Sequence, residues 1–90
     1  MPQVIVNSEE LRRFANHLKQ FNDQLKQNMS KLNGEFSRLA ETWRDQEHQK
    51  FAQEYQQTMR VIERFLQTAD QHIPFLLRKA DRADEFIKQR

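Results

Sequence analysis

The sequence predicts an all-α fold: a two-helix antiparallel hairpin that pairs with a second hairpin into a four-helix bundle. Three observations predict it. Apolar residues recur at alternating steps of three and four along most of the chain, the spacing of one helix face. One Gly and two Pro in 90 residues leave turn chemistry for few breaks. The chain is also lean in apolar residues, 37% hydrophobic against 31% charged, and a domain this short buries only about two-thirds of its unfolded surface. A long stripe on a lean chain calls for a partner to cover it. Seven Phe argue against disorder, which is poor in aromatics.

The elements follow in order. Residues 4–6, Val-Ile-Val, read as an extended lead-in. "NSEE" at 7–10 is a helix start: Asn7 or Ser8 can cap the free N–H groups, and Glu9 and Glu10 suit the positive end of the helix dipole. Helix one is expected over about 8–42. Its stripe is Leu11, Phe14, Leu18, Phe21, Leu25, Met29, Leu32, Phe36 and Leu39, ending at Trp43. Gly34 lies inside it, but the periodicity continues across it, and Gly costs a helix only about 1 kcal/mol.

A tight turn is expected over about 43–46 and helix two over about 47–88. The second stripe is Phe51, Tyr55, Thr58, Ile62, Phe65, Ala69, Ile73, Leu76, Ala80, Ala83 and Ile87, with Met59, Leu66 and Leu77 in a neighbouring row. Pro74 removes one backbone hydrogen bond, so the helix is expected to bend near it. Phe21, Leu25, Ile62 and Phe65 are expected near the middle of the bundle. The whole chain, 1–90, reads as a single helical-hairpin domain.

Little in the sequence carries chemistry. There is no Cys, so disulfides, thiol catalysis and zinc–thiolate sites are excluded. His17, His48 and His72 are far apart, with no metal-ligand spacing; His72 reads as a part-buried, hydrogen-bonded side chain and His48 as solvated. No nucleophile elbow or phosphate loop occurs. We expect no enzyme activity, catalytic residue, cofactor or metal. Net charge is +2, with both signs interspersed along the chain, so neither a nucleic-acid footprint nor a basic membrane-surface helix is expected. No apolar run is long enough for stable membrane insertion, and the N-terminus has no pattern of a cleavable signal peptide.

The stretch "LAETWRDQEHQKF", residues 39–51, holds the single Trp midway along the chain, with Phe51 eight residues after it. With the acidic, capped "NSEELRRFANHLKQF" before it, the chain resembles the Trp-x-Gly family of small helical hairpins, relatives of the mycobacterial early secreted antigenic target. In that family the motif occupies the turn, which here is Trp43, Arg44 and Asp45, with Asp where Gly is usual. Many members also carry a Tyr-x3-Asp or Tyr-x3-Glu signal; here Tyr55 is followed at that spacing by Met59. The resemblance implies a non-catalytic secreted substrate or helical partner of a type VII-like secretion system. It implies a homodimer or a heterodimer with a homologous hairpin, with the system's ATPase or a larger co-secreted protein as further partners, and export without a cleavable signal peptide. The alternative is an intracellular, cytoplasmic helical adaptor or chaperone-like module with no secretion role.

Overall fold

The computed structural model describes residues 6–88. Two helices make up the fold, α1 over Ser8–Thr42 and α2 over Gln46–Lys88. Residues 4 and 5 of the expected lead-in lie outside the described residues. Asn7 starts α1: its side-chain Oδ1 accepts the Glu10 backbone N–H at 3.1 Å, satisfying one of the helix's open donors. Gly34 lies within α1 and Pro74 within α2, and neither interrupts its helix. Pro74 leaves the Asp70 carbonyl without its helical donor; Asp70 and Pro74 are both exposed, so water can supply it.

The helices pack antiparallel. Arg12 meets Asp81 and Asp84, Asn22 meets Asp70, and Asn33 meets Tyr55, so partners move down α2 as they move up α1. The buried seam is made of small or slender side chains: Ala15, Met29, Leu66, Ala69, Ala80 and Ala83. Small residues let the two backbones approach closely. On α1 the seam runs Ala15, Asn22, Met29, one residue past the bulky pairs Phe14 and Phe21. The expected stripe is therefore split. Its α1 Leu row, Leu11, Leu18 and Leu25, is half-buried, and Leu32, Leu39, Phe14 and Phe21 are exposed.

One hairpin makes a thin rod, 68 × 21 × 14 Å, with a radius of gyration of 20.2 Å. A compact chain of this length has about 12 Å. Its accessible surface is 7633 Å², against about 5,600 Å² for a compact monomer of this mass.

Candidate functional site

The turn is built from the residues that join α1 to α2. Trp43 closes α1 in an extended conformation, φ −113 and ψ 105, and its backbone N–H donates to the Leu39 carbonyl at 3.0 Å. Asp45 starts α2: its Oδ1 accepts the His48 backbone N–H at 3.1 Å. No described residue has positive φ. The turn therefore does not use the conformational freedom that Gly would supply at position 45, and the carboxylate of Asp45 caps the helix instead. Arg44 is exposed between them.

Above the turn, aromatic rings from both helices interlock. Half-buried Trp43 meets His48 edge-on, with ring centroids 5.0 Å apart, and Phe51 at 5.9 Å. Phe36 of α1 lies centrally, stacked on Tyr55 at 4.3 Å and on His48 at 5.7 Å, and tilted against Phe51 at 5.9 Å. The Tyr55 hydroxyl donates to the Asn33 side chain. Such ring pairs add about 0.5–1.5 kcal/mol each beyond area burial, enough to hold a three-residue turn in one geometry. Two histidine expectations are corrected here. His48 is half-buried between rings, because capping by Asp45 fixes the first turn of α2 with residue 48 facing Phe36. His72 is exposed, because its row on α2 lies beyond the seam.

The second feature is an open apolar face. Phe21 of α1 and Phe65 of α2 meet edge-to-face, centroids 6.3 Å apart, yet they are 55% and 46% exposed. Their contact shows that the two stripes emerge on the same side of the hairpin. The face runs from Phe14 past Leu18, Leu25 and Leu32 to Leu39 on α1, with Phe51, Ile62, Phe65 and Leu76 opposite; Ile62 and Leu76 are half-buried. Near the turn it opens into an apolar groove of about 290 Å³, bordered by Leu32, Leu39, Phe51 and Tyr55. Ile73 is half-buried beside the seam.

The opposite edge of the seam is polar. The Arg12 guanidinium donates to Asp81 at 2.7 Å and Asp84 at 2.6 Å, and Lys26 pairs with Asp70 at 3.0 Å. Asn22 is fully buried and donates its amide to Asp70 at 3.0 Å, while its Oδ1 has no protein donor. Hydrogen bonds from Lys26 and then Asn22 hold the Asp70 carboxyl below the ordinary carboxylate range. Those from Ser8 and then Arg12 do the same for Asp84. Asn22 and Ala15 were not legible as seam residues, since a search for bulky apolar spacing passes over an amide and an alanine.

Among the described residues no cluster of His, Cys, Asp or Glu can hold a metal ion, and no helix is long and apolar enough to cross a membrane. No curated protein and no solved structure matches the chain. The family model WXG100, proteins of 100 residues with WXG, matches residues 3–84. With its Trp at the hairpin turn and nearly its whole length inside that match, the chain belongs to the WXG100 family, which is associated with substrates of type VII secretion.

Proposed function

We propose that this chain is a non-catalytic type VII secretion substrate or helical partner that works as a pair of hairpins. A second copy or a homologous hairpin covers the open face to complete a four-helix bundle, and the aromatic turn around Trp43 is the surface that the secretion ATPase or a larger co-secreted protein meets. The observation that carries the reading is the Phe21–Phe65 face, apolar from end to end and uncovered by its own chain. The surface excess of roughly 2,000 Å² over a compact monomer comfortably exceeds the 800 Å² or so per partner of a standard stable interface. Export of such a paired, folded rod fits a route that reads a surface of the assembled hairpins.

Light scattering tests the pairing, and substitution at the turn tests the role of Trp43. Trp43→Phe keeps an aromatic plug and should lower stability by only about 1–2 kcal/mol. The extracellular fraction in the native host should fall much further. Export unchanged by Trp43→Phe would leave the indole with packing alone. A protein confined to the cell, with its partner still bound, would favour the adaptor role.

A further inference from the structure

Along α2 the charges are mixed in sequence but separated in space. Between Gln57 and Arg82 the acids are Glu63, Asp70 and Asp81. Asp70 accepts from Asn22 and Lys26, and Asp81 from Arg12. Glu63 borders a groove shared with Asn33, Phe36 and Ser37 of α1. All three acids thus occupy the edge of α2 turned to α1. Of the five cations in this stretch, Arg60 borders the same groove as Glu63; Arg64, Arg78, Lys79 and Arg82 are exposed, and none of these four takes part in an ion pair among the described residues. Residues seven apart share a helix row, so Val61, Thr68, Phe75 and Arg82 form one line, with Arg64, Gln71 and Arg78 in the next. Val61 is 63% and Phe75 53% exposed. This line adjoins the row of Phe65 on the side away from the seam, and Arg64 and Arg78 lie farther round the helix.

We propose that this outer face of α2 docks an acidic amphipathic helix of another protein, its carboxylates meeting Arg64, Arg78 and Arg82 and its apolar side chains meeting Val61 and Phe75. The charge is complementary: the acids of this stretch lie at the edge of α2 toward α1, and the strip from Val61 to Arg82, about 30 Å long, carries no acid between Glu54 and Glu85 at its two ends. Three of the four cations are Arg, whose planar fork binds carboxylates in two-point fashion and is over-represented at interfaces. A lipid surface is the poorer match. Interfacial insertion scales with buried apolar area, and on this strip only Val61 and Phe75 stand clear, four turns apart.

The probe is a fluorescent synthetic helix of four heptads rich in Glu and Leu, titrated into the full-length protein and followed by anisotropy at two salt concentrations. Binding is expected to weaken with salt, and to fall roughly tenfold or more in Arg64→Gln/Arg78→Gln/Arg82→Gln, as rim charges steer and select partners. Val61→Ser/Phe75→Ser should lose a similar factor. The control Arg13→Gln/Arg38→Gln removes two exposed cations from α1 and should bind as the parent does. Four outcomes overturn the proposal: no binding by the parent chain, equal loss in the control, binding retained by the Arg64/Arg78/Arg82 variant, which would place the probe on the open Leu face, or tighter arginine-dependent binding to phosphatidylglycerol vesicles than to the probe. Light scattering on the same samples reads the paired state separately, because these exposed substitutions leave the open face intact.

Discussion

At the scale of single residues, Asp45 shows how a motif position can change without losing its element. Where Gly would give a turn conformational latitude, Asp45 accepts the His48 N–H and caps α2. Asp45→Ala should therefore cost about 0.5–2 kcal/mol, whereas Asp45→Gly should cost only a few tenths, because Gly is itself tolerated at caps. Equal melting temperatures for Asp45→Ala and the parent would remove the cap from the account. Gly34 is the converse case, a flexible residue that nothing requires. It sits inside α1 without positive φ, and a methyl added there meets no atom within 4 Å. Gly34→Ala should stabilise the chain by about 0.4–1 kcal/mol through helix propensity and a less free unfolded chain. A lower melting temperature for it would mean that another molecule approaches α1 closely at that point.

At the scale of the elements, α1 and α2 meet along a seam that is apolar inside except at Asn22 and ionic at one edge. Arg12 bridges Asp81 and Asp84 near the open end, and the buried amide of Asn22 sits with Lys26 and Asp70 near the middle. The carboxyls of Asp70 and Asp84 both titrate below their ordinary values in the hairpin. A group whose folded pKa is depressed contributes stability above its unfolded pKa, about 3.9 for Asp, and loses it as pH falls through the folded value. The contribution should hold from neutral pH down to about pH 5, begin to fall near pH 4 and be lost fully only below the depressed folded values. The Lys26–Asp70 pair is exposed and the Arg12–Asp84 pair only part-buried, so the effect is small and weakened by salt. Melting curves from pH 7 to 3 should show a shallower acid loss in Asp70→Asn/Asp84→Asn than in the parent. An identical slope would assign the acid dependence to other carboxylates.

At the scale of the whole molecule, a rod 68 Å long with bulky rings on one side has more apolar surface than one partner helix can hide. Light scattering at micromolar concentration should give about twice the 11.0 kDa of one chain. Leu25, half-buried in the single hairpin, becomes a core residue once the face is covered, and Leu25→Ala should then cost about 2–5 kcal/mol. Because that loss falls on the paired state, the variant's melting temperature should depend more steeply on protein concentration than the parent's. A stable monomer would make a different, obligate partner the one that covers this face.

Much of the hairpin was legible in the sequence because helix formation and capping are local. A three-and-four apolar spacing, an Asn followed by two Glu, and a single Gly leave two long helices as the consistent solution, and Trp43 near the midpoint marks where they turn. Which rows face each other is not local. The bulkiest side chains look like the core from spacing alone, yet two helices pack closest where side chains are small, so Ala15, Ala69, Ala80 and Ala83 form the seam and Phe14, Phe21, Phe51 and Phe65 stay exposed in the single hairpin. The ring stack that encloses His48 and the inward turn of Asp70 and Asp81 likewise needed both helices in place. Charge that is interspersed along a chain becomes a one-sided basic strip only when a partner helix draws the acids to one edge. The sequence determined the helices and their turn; the packing of α1 on α2 decided which of their faces remain for other molecules.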